Sequence, residues 1–165
     1  MVTLAELVYR LTLALWTGAM AYLALLAAPA LFAGLPREEA ARAVVLLFPP
    51  YLKAGYVATG LLFAAALVLA RAGRRGYRRR DPLASFRVLA TGAMLALAIY
   101  GGLVVYPKAL VLLGQVPSLN GDELSPARVE FRRVHGLAFG LNGLALALSA
   151  LLLLAQAVRD VRRQG

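Results

Sequence analysis

Four stretches of this chain, roughly residues 4–32, 44–70, 88–113 and 134–158, are apolar enough and long enough to cross a bilayer. A helix needs about 20 apolar residues to traverse a hydrocarbon core of about 30 Å. Lipid offers no water to a backbone N–H or C=O, so such stretches must be helices or closed barrels. Their continuous apolar character, without strand-like alternation, selects helices. The expected class is all-α, an integral membrane four-helix transmembrane bundle in a single domain. An arginine-rich loop at 71–87 and a polar loop at 114–133 separate the spans.

Apolar residues make up 61 % of the chain and charged residues 16 %, far from the balance of a water-soluble domain. A signal peptide would need a basic start and a short apolar core. Here the run from Leu11 to Phe32 is too long and only Glu6 and Arg10 precede it. It reads as a retained span. There is no cysteine, which excludes disulfides, thiolate metal sites and thiol chemistry.

The formal net charge is +10, and a basic chain often binds nucleic acid. In a membrane protein the positive-inside bias of the loops accounts for the charge more economically, so no nucleic acid is expected. With four spans, the termini and the 71–87 loop share one side. That side holds 11 basic residues, the other holds seven, counted along the chain. Both termini are therefore expected in the cytoplasm, with the protein in a cell inner (plasma) membrane. Arg71, Arg74, Arg75, Arg78, Arg79 and Arg80 either set this topology or attract anionic lipid head groups, each worth about 1 kcal/mol near the surface.

Within the spans, Pro36 with Glu38 and Glu39 suits a helix start. Pro49 and Pro50 are expected to break or kink that helix, so that the second span proper begins near Tyr51. Gly101, Gly102 and Pro107 mark a bend or stop in the third span. Ser125 and Pro126 look like the cap and first turn of the fourth helix.

The fourth span carries the sharpest pattern. His135, Asn142, Ser149 and Gln156 are spaced seven apart, a polar stripe along the seam of a left-handed bundle. Gly136, Gly140 and Gly143 lie nearby in sequence, and small residues let a neighbouring helix approach. The stripe serves helix adhesion or lines a polar pathway. Tyr51, Lys53, Tyr106, Lys108, Arg132 and Arg133 fall at a similar depth and could join His135 and Asn142 in a basic, aromatic-rimmed pocket. Tyr and Lys are also ordinary interface anchors. Arg10 is close enough to its helix end to snorkel, and Trp16 is expected to pack within the bundle.

Catalysis fares badly. One histidine cannot ligate haem from both sides within one chain, and a metal site would need several His or carboxylates together. Beyond the flanking Glu6, no acidic residue lies inside an expected span to relay protons. No cofactor is expected.

Two segments resemble a known family. The first comprises Trp16-Thr17-Gly18, Leu31-Phe32-Ala33-Gly34-Leu35-Pro36-Arg37 and Leu47-Phe48-Pro49-Pro50-Tyr51. The second runs Phe131-Arg132-Arg133-Val134-His135-Gly136-Leu137 and continues to Leu141-Asn142. They are similar to a bacterial member of the transmembrane protein 205-like family, also catalogued as domain of unknown function 4149. The resemblance implies a four-helix membrane protein and brings no established biochemical role. It singles out Trp16, Gly18, Pro36, Phe48, Pro49, Tyr51, His135, Gly136 and Asn142. Two functional classes follow: a protein that binds or transports a small solute or lipid within the bundle, or an assembly or scaffold subunit of a larger membrane complex, with a homo-oligomer also possible.

Overall fold

In the computed structural model the described residues are 2–74, 83–115 and 125–164, and among them there is no strand. Six helical segments follow in order: α1 (Val2–Tyr22), α2 (Ala28–Gly34), α3 (Arg37–Arg74), α4 (Ala84–Tyr100), α5 (Tyr106–Gln115) and α6 (Pro126–Gln164). Two π-turns, Leu23–Ala27 and Gly101–Val105, fuse α1 to α2 and α4 to α5. The result is four continuous helices, all long and apolar enough to span a membrane. The protein is an all-α, multi-pass membrane bundle.

The span-forming helices run for 32, 37, 32 and 36 residues. At about 1.5 Å per residue that is roughly 48–56 Å, longer than a hydrocarbon core of about 30 Å, so their ends reach the head-group regions. The starts follow local chemistry. The Pro36 carbonyl accepts the Ala40 N–H at 3.0 Å, and Glu38 and Glu39 occupy the first turn of α3. Ser125 precedes α6, its carbonyl accepting from the Arg128 and Val129 N–H groups.

The prolines behave differently from expectation. Pro49 and Pro50 do not break α3, which is helical from Arg37 to Arg74, so the second span does not begin afresh at Tyr51. Pro107 does not end the third helix either. A proline ring crowds the carbonyl four residues earlier and removes a donor. Upstream of Pro29 and of Pro107 the helix widens instead: Ala28 N–H donates to the Leu23 carbonyl and Tyr106 N–H to the Gly101 carbonyl, both five residues back. The wider turn accommodates the ring without stopping the helix.

The packed core lies in the half of the bundle that carries the chain termini, here called the terminal half. Tyr9, Leu13, Trp16 and Met20 form one stripe at helical spacing on α1, and Leu62, Ala65, Ala66 and Leu69 another on α3. Ala90 and Met94 of α4 and Leu152 of α6 complete it. Glycines bring helices together there: a Cβ at Gly55 would meet the Trp16 ring at 3.1 Å, and one at Gly92 would meet Phe63 at 3.2 Å.

Charged groups close the terminal end. Arg10 donates to both carboxylate oxygens of Asp160, at 2.7 and 3.1 Å, and Glu6 accepts from Arg10 and Arg159, each at 3.3 Å. Arg87, expected in a loop, instead lies in α4 at 4 % exposure, its guanidinium 5.1 Å from the centre of the Tyr9 ring. Such a desolvated cation–π contact is worth about 2 kcal/mol. The first, third and fourth transmembrane helices are thus tied at one level, and Arg10 is part of an ion network as well as near the interface.

The other, distal half is packed sparsely. Beyond the π-turns, α2 rests on α3 and α5 rests on α6. No described residue of α2, α5 or the first π-turn is buried. The bundle therefore forks into two helix pairs.

Tyr56 of α3 places its phenol in the notch that Gly102 leaves in the second π-turn, where a Cβ would overlap the hydroxyl. Gly101, next to it, has open space. We expect Gly102→Ala to destabilise the protein by about 1–3 kcal/mol through overpacking. Gly101→Ala should be nearly neutral. Thermal unfolding in detergent, followed by circular dichroism, would check the contrast.

Candidate functional site

The polar residues that the sequence placed at one depth separate into two groups. The first is a cluster at the crotch of the fork. Tyr51 of α3 stacks on Trp16 of α1, with ring centres 5.1 Å apart, and its hydroxyl donates to the Asn142 side-chain oxygen of α6 at 3.1 Å. Phe48, one turn earlier on α3, lies edge-on to Tyr51 and parallel to Tyr106 of α5 at 5.7 Å. Asn142 also donates to the Ala138 carbonyl at 3.3 Å, which orients its amide. Four helical segments meet here through rings and one hydrogen bond. Aromatic pairs contribute about 0.5–1.5 kcal/mol beyond area burial, and an interhelical hydrogen bond in a membrane about 0.6 kcal/mol. Two contacts that cross the fork, Phe48–Tyr106 and Tyr51–Asn142, are each modest.

The second group lines an open cleft of about 480 Å³ between α5 and α6, bounded by Lys108, Glu130, Arg133, Val134 and Leu137. Lys108 donates to Glu130 at 2.7 Å. Two cations face one carboxylate, and Val134 and Leu137 supply an apolar wall. At about 100° per residue, Leu137 and Asn142 lie about 140° apart around α6. Cleft and crotch therefore occupy different sides of that helix.

The remaining expected site residues join neither group. Lys53 and Arg132 are exposed. His135 is exposed too and stacks on Phe131, one turn back along its own helix, at 5.7 Å. It does not enter a pocket within the bundle. The reason lies in the stripe itself. A strict spacing of seven drifts by about 20° per heptad around a straight helix, so three heptads turn it by about 60°. Ser149 and Gln156 are buried, Asn142 is half-buried and His135 has rotated out. Ser149 donates to the Leu146 carbonyl of its own helix at 2.8 Å.

Gly136, Gly140 and Gly143 are exposed, with nothing within 4 Å of a Cβ built on any of them. They do not seat a neighbouring helix of this bundle. Residues two apart on a helix face about 200° away from one another, so Gly140 points away from the side that Asn142 occupies. Gly18 is exposed for the same reason, two residues from buried Trp16.

The packing glycines Gly55, Gly92 and Gly102 escaped the sequence reading. Their only signal was proximity to Trp16, Phe63 and Tyr56, which needs the fold. Phe48 was visible as a motif residue but without a role. The Tyr9–Arg87 pair and the Glu6–Arg159 bridge join helices far apart in sequence, so no local pattern announced them. Arg71 is exposed near the end of α3 and Arg74 is its last residue. Arg75, Arg78, Arg79 and Arg80 lie outside the described residues. Among the described residues, no group of three His, Cys, Asp or Glu could hold a metal ion.

No curated protein and no solved structure matches this chain. A family model, described as a domain of unknown function (DUF4149), matches residues 11–115. That interval contains the Trp16–Gly18 and Phe48–Tyr51 motifs, and it also takes in the central loop and the third span. The Phe131–Asn142 segment, which had contributed to the resemblance, falls outside it. The matched part supplies Trp16, Phe48, Tyr51 and Tyr106 of the crotch and the π-turn beneath Tyr56. This chain belongs to the domain of unknown function 4149 family.

Proposed function

We propose that this protein binds an anionic amphiphile, a lipid or lipid-like molecule, in the cleft between α5 and α6. The supporting observation is the pairing of Lys108 and Arg133 with an apolar wall of Val134 and Leu137 around an open volume of about 480 Å³. A phosphate or carboxylate head group would meet the two cations, and its chain would lie along the wall. Glu130 keeps Lys108 oriented while leaving the cleft net positive. This moves the ligand from the interior of the bundle, where the sequence pointed, to its flank. The arginines at 71–80 supply a second attraction for anionic lipid.

Native mass spectrometry of protein purified in mild detergent tests the reading. We expect an anionic lipid to remain bound, and Lys108→Ala with Arg133→Ala to weaken binding by roughly 10–30-fold, about 1 kcal/mol for each charge. Neutralising the arginines at 71–80 should leave that bound lipid in place. Equal lipid retention by wild type and the double variant would sink the cleft as the site.

The orientation that supports this reading has both termini in the cytoplasm of a cell inner membrane, because of the 11-to-7 bias in basic residues. A C-terminal green fluorescent protein fusion should be fluorescent and a C-terminal alkaline phosphatase fusion inactive. The reverse pattern would invert the bundle.

A second reading, an assembly subunit, is favoured by the outward seam of Gly136, Gly140 and Gly143. Of the four candidate spans, α6 carries the highest mean hydropathy, 2.2, and the smallest buried share, 11 %. Glycine on a lipid-facing surface allows another helix to approach closely. Gly140→Ile should reduce any dimer or larger complex recovered in mild detergent, as measured by light scattering of the eluting peak. An unchanged mass distribution, or a wild type that elutes only as a monomer, would count against this reading.

A further inference from the structure

The backbone irregularities of this bundle fall in one half of it. The first and third transmembrane helices run in the same direction, and each is interrupted by one π-turn, at Leu23–Ala27 and Gly101–Val105. In the second, Pro49 and Pro50 each remove a donor from α3. Sharp bends in helices concentrate at prolines and π-bulges. Among the described residues, the terminal half has none of these and holds the whole contiguous core and the Glu6–Arg10–Arg159–Asp160 network.

The packing changes at the same level. Past the π-turns, α2 rests on α3 and α5 on α6. Each pair is internally joined: Ala40 of α3 is buried, as are Arg128 and Val134 of α6. Among the described residues, contacts that cross between the pairs include the parallel stack of Phe48 on Tyr106 and the hydrogen bond from Tyr51 to Asn142. Beneath them lies Trp16, the only tryptophan of the chain, stacked on Tyr51 and 8 % exposed.

We propose that the distal half opens as a lateral gate, the α2–α3 pair swinging from the α5–α6 pair about the two π-turns, with Phe48–Tyr106 and Tyr51–Asn142 as its latch and the hydrocarbon chains of membrane lipid as what enters. The terminal half stays shut and acts as the fixed end of the hinge. Opening separates the two rings, frees the Asn142 amide and gives lipid chains a path to the Trp16 ring. The open form is a minor state, on the order of 0.1–10 % of molecules in the absence of a ligand that favours it. The gate does not depend on the α5–α6 cleft, which lies on another side of α6, so either proposal can fail alone.

The chain has no cysteine, so spin labels can be placed without background. One label pair would sit at Phe32 and Val111, exposed on α2 and α5, and a reference pair at Leu7 and Leu89, exposed on α1 and α4. Double electron–electron resonance in liposomes should give a single narrow distance for the reference pair and a distribution with a longer tail for the distal pair. Phe48→Ala with Tyr51→Phe should raise the long-distance population by about threefold or more, with the reference pair unchanged. A single narrow distal distance in both wild type and variant would overturn the gate. Trp16 supplies a second readout with no label: liposomes of lipids brominated on their acyl chains should quench its fluorescence more in the latch variant than in wild type. Equal quenching would overturn the entry of lipid chains.

Discussion

The whole arrangement depends on how a helix inside lipid tolerates a proline. In water a carbonyl that loses its N–H partner is hydrated, whereas in hydrocarbon it must be re-satisfied by protein, so a break in a span is costly. This chain places Pro29, Pro49, Pro50 and Pro107 in three of its four spanning helices and keeps all three continuous. Upstream of Pro29 and Pro107 the helix inserts a π-turn with five-residue hydrogen bonds. The consequence is geometric. A π-turn rotates the residues beyond it relative to those before it, so the face that packs in the terminal half no longer lines up in the distal half. That is why the core ends near Trp16 and Met20 and why the outer segments pair off separately.

Where packing is lost at one end, it must be concentrated at the other. Tyr9, Leu13, Leu62 and Met94 are each no more than 1 % exposed, and the charged network lies just beyond them. Burying a cation such as Arg87 without compensation would be prohibitive, and the Tyr9 ring face offsets part of that cost. The network ties the first helix to the third and the fourth, the two most distant from it in sequence. Their registers are set at that end. The distal half is then free to be irregular.

How much of this was legible from the residues differs by scale. Four spans and their helical class followed from length and apolarity, because lipid leaves few alternatives. The starts at Pro36 and Ser125 followed from capping chemistry, which is local. The continuity through Pro49–Pro50 did not, because the expectation of a break belongs to helices in water. The heptad stripe of α6 located Asn142, Ser149 and Gln156 towards the bundle and misplaced His135, since a seven-residue spacing holds its direction only in a supercoiled helix. The glycines of α6 do not pack within this bundle for a related reason. A glycine packs a helix only if it points at one, and direction on a helix changes by about 100° with every residue. Gly55 and Gly102 point inward at rings, whereas Gly136, Gly140 and Gly143 point away.

The fourth helix presents two different sides, and their separation bears on what the protein can do at once. One side carries Asn142, Ser149 and Gln156 towards the bundle, and another carries Glu130, Arg133 and Leu137 into the cleft. The open glycines border the cleft side, Gly140 lying only about 20° from Arg133 around the helix. A partner helix seated on the glycines would leave the Tyr51–Asn142 contact untouched. An amphiphile in the cleft would meet α5 at Lys108, only two residues beyond Tyr106, the ring that stacks on Phe48. A molecule that draws Lys108 towards Arg133 therefore pulls on the segment carrying one side of the aromatic contact. Occupation of the flank would therefore act on the segment of α5 that closes the fork, and a partner helix seated at Gly140 would crowd the cleft beside Arg133.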